Sequence, residues 1–385
     1  MAGFARIGLV LAVLFPHSAV AKVVFTGYGN FQMQPHAWAR IHGDAPALSK
    51  LALADAEVEG RGFTLDSIGL FAAANLKEGM DFLVDFSYRQ IGSTTKETRI
   101  QYAYLEHMPW QDFTYRLGKF TLPFGYYNQN RFYSFQRVEL SPPVFQSAIL
   151  GLPISDVGAS AQRRFQTRFA RVNAELYAVN GYGASAADAK KFRSATLPGS
   201  LTLAANLAPS NNNPNLAFGG RLAAAELGGR NVETGVSYYG GPWNSAGTKY
   251  FQMGNVHVHA LSSSWDFLAE YLHLDVQGDP GFIEVLDDTH WRTDGYFLTA
   301  AHPGPRVRDM PLTPYVSAEG YVSRGHHGAG QERLQGYRAG LTLQPMGQIQ
   351  VKAEYGFLTY ALPLRGLGDL KLDVHNVLLG LTLTF

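Results

Sequence analysis

The stretch NVLLGLTLTF, residues 376–385, decides the fold. Apolar side chains occupy every second position in it, namely Val377, Leu379, Leu381, Leu383 and Phe385. Because successive side chains of a β-strand point to opposite faces of the sheet, this period of two predicts a strand with one apolar face. No charged residue interrupts the run, and its last residue is aromatic. A strand of a water-soluble sandwich and a strand of a barrel whose apolar face meets lipid both fit this pattern.

The N-terminal segment helps to separate these two possibilities. Residues 1–21, MAGFARIGLVLAVLFPHSAVA, contain one cation, Arg6, and then an apolar stretch that ends before Pro16. Ala19 and Ala21 form a small-x-small cleavage pattern, so a secretory signal peptide over 1–21 and a mature chain over 22–385 are predicted. An uncleaved anchor is the alternative, but the apolar stretch is about half as long as the roughly 20 residues that a spanning helix needs.

Composition excludes several classes of protein. The formal net charge of +1 lacks the basic excess of a nucleic-acid-binding protein. Cysteine is absent, which excludes thiol catalysis and Cys-ligated clusters. After the N-terminal segment there is no apolar run of about 18 residues or more, so a helical membrane protein is excluded. An aromatic content of 13% together with 41 glycines favours a chain of many β-strands.

Alternation of apolar and polar side chains recurs along the whole chain. In MDFLVDFSY, residues 80–88, Phe82, Val84 and Phe86 share one face, whereas Asp81 and Asp85 share the other. The same pattern occurs at 232–239, 264–271 and 348–355. Tyrosines near strand ends lie on the apolar faces, as an interfacial girdle requires: Tyr88, Tyr115, Tyr238, Tyr271 and Tyr355. A soluble two-sheet or solenoid protein would not favour this placement.

Short turns and long loops alternate between the strands. Short turns are predicted at 77–79, 109–112, 166–169, 228–230, 262–264, 302–311 and 345–347. Longer polar or Gly/Pro-rich loops are predicted at 35–61, 91–97, 124–155, 182–215, 241–249, 277–292, 324–333 and 361–371. These connections join sixteen antiparallel strands, with short periplasmic turns and long extracellular loops, which is the pattern of a transmembrane β-barrel. Since lipid leaves no backbone polar group unpaired, the last strand should pair with the first.

Two segments fit the strand pattern imperfectly. An apolar run at Leu201–Leu207 is assigned to the fourth loop, because counting it as a strand would give seventeen. In the second strand Asp66 shares a face with Ile68 and Leu70. A β-bulge, or a strand that begins after Asp66, would explain this position.

The signal peptide, the sixteen segments and the terminal Phe385 together resemble a Gram-negative outer-membrane porin. The stretch 116–143, RLGKFTLPFGYYNQNRFYSFQRVELSPP, is similar to the G-K-x-x-x-P-F-G strand end of the phosphate-selective porin group. The matching residues are Gly118, Lys119, Pro123, Phe124 and Gly125. The resemblance implies a location in outer-membrane lipid, recognition of Phe385 by the barrel-assembly machinery, a homotrimer, and a third loop at 124–155 that folds inward and narrows the pore.

The third loop carries the candidate constriction. Arginine suits anion attraction because its planar fork matches phosphate and carboxylate oxygens and it stays charged. The predicted constriction residues are Arg131, Arg137, Glu139 and Tyr133, with Arg116 and Lys119 near the base. The alternative is that both loop arginines pair with Glu139 or with carboxylates of the wall and only fix the loop.

The charges predicted to face the lumen balance in sign. The cations are Arg89, Arg99, Arg116, Arg164, Arg221, Arg338 and Lys352. The acids are Asp81, Asp85, Glu175, Glu233, Asp266, Glu270, Glu319 and Glu354. A dense arginine ladder is not evident in this set. The sequence therefore predicts passive diffusion of small hydrophilic solutes, with an anion bias where the third loop acts.

The sequence gives little support for a metal site or for catalysis. His257 and His259 point the same way along a strand, but no third metal ligand is specified, and inward polar histidines are the simpler interpretation. No G-x-S-x-G, H-E-x-x-H or P-loop pattern occurs, so neither an enzyme nor a cofactor is predicted. The second hypothesis for function is a barrel that sheathes or docks a protein partner through its broad fourth loop.

Overall fold

The computed structural model describes most of the chain. The described residues are 23–43, 57–91, 95–131, 133–143, 155–183, 208–209, 215–244, 246–277, 290–324, 331–364 and 368–385. The predicted signal peptide and the run at Leu201–Leu207 lie outside them. Within these ranges no helix is both long and apolar enough to cross a membrane.

Sixteen β-strands form one closed antiparallel sheet, and each strand pairs with its neighbours in the chain. The strands are β1 (Val23–Gly43), β2 (Glu57–Lys77), β3 (Met80–Ile91), β4 (Thr95–Trp110), β5 (Phe113–Thr121), β6 (Ser155–Gln166), β7 (Arg171–Val179), β8 (Ala217–Ala225), β9 (Val232–Pro242), β10 (Tyr250–Leu261), β11 (Asp266–Gln277), β12 (His290–Ala301), β13 (Met310–Arg324), β14 (Glu332–Met346), β15 (Ile349–Leu364) and β16 (Gly368–Thr384). The prediction of a sixteen-stranded barrel is confirmed.

The barrel closes between β1 and β16. Tyr28 pairs with Thr384 and Met33 pairs with Leu379. Beyond the last pair, the amide of Gly27 donates to the carbonyl of Phe385 at 2.6 Å, and the amide of Phe385 donates back at 2.9 Å. The predicted pairing of the first and last strands is therefore confirmed, and it leaves no unpaired sheet edge.

The two rims differ as the turn pattern predicts. Within the described residues, β2 and β3 are joined at 78–79, β4 and β5 at 111–112, and β14 and β15 at 347–348. We call this end the short-turn rim and the opposite end the long-loop rim. In β2, Ser67 pairs with Asn30 and Leu65 pairs with Phe31, so Asp66 is an extra residue in the ladder. Of the two explanations for Asp66, the β-bulge is correct, because the strand already begins at Glu57.

The two faces of the barrel wall have opposite character. On the outer face Leu117, Leu176 and Val316 are 64%, 72% and 58% exposed. On the inner face Asp85 and Glu175 are buried. Apolar side chains outside and polar side chains inside are the reverse of a water-soluble protein and are typical of a barrel in lipid. In β16 the alternation holds as predicted, since Leu379 and Leu381 face outward and Thr382 faces inward.

Candidate functional site

The segment after β5 folds into the barrel, and we call residues 122–143 loop L3. L3 contains one helical turn, α1 (Tyr127–Asn130). Leu122, Tyr127 and Leu140 are completely buried. Gly125 precedes α1 with a φ of +68°, and a Cβ atom there would lie 2.5 Å from Oε1 of Glu270. Glycine is required because other residues adopt this backbone conformation at a cost. Residues 124–131 and 133–143 are the described part of the third loop that the sequence predicts at 124–155.

Side chains of the wall bind the backbone at the beginning of L3. Both carboxylate oxygens of Glu270 on β11 accept backbone N–H groups, from Tyr126 at 2.6 Å and from Tyr127 at 3.1 Å. The amide of Gly125 donates to the hydroxyl of Ser237 on β9 at 3.1 Å. Since Glu270 is buried, these N–H donors satisfy a carboxylate that would otherwise be costly to bury.

The predicted arginines of L3 are buried and engaged. Arg131 donates to Oδ2 of Asp266 at 2.5 Å, and a second nitrogen lies 3.5 Å from Oε1 of Glu139. Arg137 donates to the backbone carbonyls of Glu139 at 3.1 Å and of Leu140 at 2.8 Å. Burial lowers the pKa of Arg131, but the carboxylates of Glu139 and Asp266 outweigh this effect and raise the pKa above its ordinary value. These contacts match the alternative in which the arginines fix the loop.

Strand β15 holds the C-terminal half of L3, a role that the sequence pattern did not indicate. Nζ of Lys352 donates to the carbonyls of Ser134 and Arg137 at 2.5 Å each, and to that of Glu139 at 3.3 Å. Two positions later, Oε2 of Glu354 accepts the amide of Leu140 at 3.1 Å. An ammonium group donates three hydrogen bonds, so Lys352 is satisfied by the loop alone.

Neighbouring strands add further bonds to this half of L3. On β14, Thr342 donates to the carbonyl of Val138 at 2.7 Å and Arg338 donates to that of Ser141 at 3.0 Å. Arg338 also forms a buried ion pair with Glu319 on β13. The loop backbone is therefore bonded to the wall over several consecutive residues.

An aromatic cluster binds the opposite side of L3. The rings of Tyr133 and Phe135 lie 5.3 and 5.7 Å from that of Tyr28 on β1 and 5.2 and 6.1 Å from that of Phe71 on β2. The hydroxyl of Tyr133 donates to Asp85 on β3. Burial, and then the Asp85 charge, raise the pKa of Tyr133 well above its ordinary value, so this phenol stays protonated. Tyr133 therefore fixes the loop as a hydrogen-bond donor.

The inner wall is not polar throughout. Near the long-loop rim, L3 packs on an apolar cluster that the sequence analysis missed. Its members include Phe124 and Tyr127 of L3 and, on the wall, Tyr239, Trp243, Phe251, Met253, Leu272, Leu274, Val276 and Phe297. The available signal is that the inward positions of β11 beyond Glu270, namely Leu272, Leu274 and Val276, are all apolar, which a polar lumen does not require. The cluster fills part of the lumen beside L3.

Arg116 and Lys119 lie apart from L3. Arg116 faces the lumen, where it pairs with Glu106 at 2.8 Å and with Glu175 at 3.0 Å. Lys119 is paired in register with Val157, whose side chain is 47% exposed on the outer face, and it donates to the carbonyl of Ile100 at 2.7 Å. The structure therefore brings Arg131, Arg137, Glu139 and Tyr133 together in L3 and leaves Lys119 outside the lumen.

The histidines of β10 belong to the polar wall. His257 lies 3.2 Å from Glu233, and His259 lies 2.9 Å from Asp266. Each imidazole therefore has its own carboxylate partner, and the described residues contain no group of three or more potential metal ligands.

Comparisons with known proteins show the fold. No family model matches the chain, and no curated protein matches it. The outer membrane channel DcaP of Acinetobacter baumannii is 12% identical with a TM-score of 0.57, over 96% of this chain and 99% of that one. The anion-selective porin from Comamonas acidovorans is 12% identical with a TM-score of 0.56, over 95% and 100%. The trimer form of OmpT, an outer membrane protein of Vibrio cholerae, is 11% identical with a TM-score of 0.54, over 95% and 100%. The chain has the fold of outer-membrane porins.

Proposed function

We propose that this chain is an outer-membrane porin whose water-filled lumen lets small hydrophilic solutes diffuse down their gradients. The observation that carries the proposal is the position of L3 inside a sixteen-stranded barrel. Hydrogen bonds, ion pairs and ring contacts reach L3 from β1–β3 and from β9–β16. A loop held in this way narrows a pore without blocking it if one side of the wall stays open to water.

The wall along β4–β8 supplies that open side in our proposal. Toward the short-turn rim its lumenal groups are polar and of both signs. Arg116 bridges Glu106 and Glu175, and Ser160 donates to Glu175 at 3.0 Å. A passage bordered by paired charges of both signs favours no single charged solute and therefore suits a range of small hydrophilic solutes.

The predicted constriction and anion bias form part of this proposal. In it, Arg131, Arg137, Glu139 and Tyr133 define the constriction by holding L3, and Arg116 borders the passage opposite. Because the charges of Arg131 are paired with Glu139 and Asp266, an anion bias needs cations elsewhere on the wall.

The membrane location of this chain and its protein partners also form part of the proposal. The exposed apolar outer face fits outer-membrane lipid. Recognition of the aromatic Phe385 by the barrel-assembly machinery follows from the resemblance to porins, as does a homotrimer. A trimer form is named for one solved structure of the same fold, OmpT of Vibrio cholerae.

Single-channel conductance in planar lipid bilayers tests the function. We expect steady ohmic current steps in KCl, and swelling of protein-loaded liposomes that becomes slower as the sugar in the medium becomes larger. A barrel that docks a protein partner and is closed by it would give neither result. A reversal potential that favours cations under a KCl gradient would contradict the anion bias alone.

A further inference from the structure

A cavity in the inner wall near the short-turn rim has no part in the contacts that hold L3. It has a volume of about 340 Å³ and lies between β6 and β9. Its polar lining consists of Arg164, Arg171, Asn173, Arg221 and Glu233, with two alanines of β8 completing it. L3 is bound on the other sides of the barrel, so this cavity borders the proposed passage.

Positive charge exceeds negative charge in this lining. Three guanidinium groups face one carboxylate, that of Glu233. Arg164, on the lumenal face of β6, has no ion-pair partner in the described part of the chain and is exposed to the lumen. Arg171 pairs with Glu226 at 3.1 Å, but both side chains are about half exposed, and such pairs hold their partners weakly. Two guanidiniums are therefore available to a solute.

Arg221 supplies a fixed third guanidinium. It is 8% exposed, and one terminal nitrogen is paired with Glu233, which also lies 3.2 Å from His257. Its Nε has no hydrogen-bond partner within the described residues. The carboxylate of Glu233 is thus shared between Arg221 and His257. Together with Glu226, which pairs with Arg171, it gives two carboxylates against three arginines.

We propose that this cavity, the arginine pocket, binds small solutes that carry at least two carboxylate or phosphate groups. The proposal rests on the proposed channel function and names a solute class for it. Arginine forks bind carboxylate and phosphate oxygens through paired, charge-assisted hydrogen bonds. Since one water takes about 30 Å³ of liquid, the volume admits a solute of roughly ten non-hydrogen atoms. The pocket concentrates such anions at one mouth of the pore.

Block of single-channel current by pyrophosphate or citrate tests the pocket. At about 0.1 M KCl, where charges are screened beyond roughly 10 Å, each anion should reduce the current with a saturating concentration dependence. In the double variant Arg164→Ala/Arg171→Ala the half-blocking concentration should rise by about tenfold or more, because charge-assisted hydrogen bonds are lost. The block is measured relative to the current that each variant carries in KCl alone.

The control removes two arginines from the outer face of the wall at the other rim. Arg292 and Arg324 are 55% and 53% exposed and pair with Asp275 and Asp294. In Arg292→Ala/Arg324→Ala the block should equal that of the unmodified protein. Equal weakening in both double variants would overturn the pocket in favour of a general charge effect.

The two proposals fail in different ways. Ohmic current steps without anion block would overturn the arginine pocket and leave the porin function intact. Absence of current steps would contradict the porin function. In that case calorimetric titration of the detergent-solubilised protein with pyrophosphate tests the pocket. The arginine pocket would be overturned if pyrophosphate did not bind, or if its binding did not depend on Arg164 and Arg171.

Discussion

The Nζ atom of Lys352 on β15 lies 2.5 Å from the backbone carbonyl oxygen of Arg137 in L3. Nothing in the local sequence of either residue indicates the other, since 215 positions separate them. The same ammonium group bonds two further carbonyls of the loop. One side chain therefore fixes the direction of three peptide groups of L3.

Replacement of Lys352 by methionine should release this half of L3. The Lys352→Met variant keeps the length of the side chain but leaves three buried carbonyls without their donor, at a cost of about 3–5 kcal/mol. We expect noisier single-channel current and faster cleavage of L3 by added protease. Lys371→Met, which changes an exposed lysine of β16, is the control and should behave as the unmodified protein. Current noise in Lys352→Met equal to that of the unmodified protein would show that the other contacts are sufficient to hold L3.

The arginines of L3 should affect the loop more than the selectivity. Arg131→Ala removes the guanidinium from the buried Glu139 and leaves Asp266 with His259 alone, which destabilises the local structure by about 3–5 kcal/mol. We expect increased current noise in Arg131→Ala and Arg137→Ala and a small shift of the reversal potential in a KCl gradient. A large loss of anion preference with unchanged noise would show instead that these guanidiniums contact solutes.

Gly125 should not tolerate a side chain. Gly125→Ala places a Cβ atom 2.5 Å from Oε1 of Glu270 and forces alanine into a left-handed conformation, at a cost of about 1–2 kcal/mol. The N-terminal half of L3 should become sensitive to protease. Gly254→Ala on β10 is the control, because no atom lies within 4 Å of its added Cβ. Equal protease resistance in both variants would contradict the strain argument.

The free-energy cost of a charged residue on the outer face should depend on its depth in the bilayer. Leu176 is 72% exposed in the middle of β7, so Leu176→Arg should reduce the free energy of folding into lipid vesicles by about 2–4 kcal/mol. Phe169 is 70% exposed in the turn before β7, and Phe169→Arg should cost about 0–1 kcal/mol. Urea titration of vesicle-bound protein measures both. Similar values would mean that this face does not meet the hydrocarbon core.

Period-two alternation predicts most of the barrel because each strand is constrained by two different media. Lipid outside and water inside impose the pattern residue by residue, and a local failure such as Asp66 indicates a bulge. The same rule would have placed Lys119 correctly. Arg116 faces inward, and a residue three positions later on a regular strand faces the other side, as the pairing of Lys119 with Val157 shows.

The interior of the site is less predictable from sequence. Alternation states which face a side chain occupies but not which residue lies across the lumen, so the bonds from Lys352 and Glu354 to L3 carry no local signal. The apolar cluster around Leu272 was missed for a related reason. It is the packing surface for L3, and alternation assumes that every inward position meets water.

The bonds between L3 and β13–β16 also have a consequence for assembly. Ser134 and Lys352 are 218 positions apart, Leu140 and Glu354 are 214 apart, and Asn30 and Thr382 across the closing strands are 352 apart. Contacts of such separation form late, because the intervening chain must first be ordered. The early strands therefore fold while L3 still lacks most of its hydrogen-bond partners. Closure of the wall and attachment of L3 to it are completed by the same last strands, so L3 reaches its final position only when the barrel is sealed.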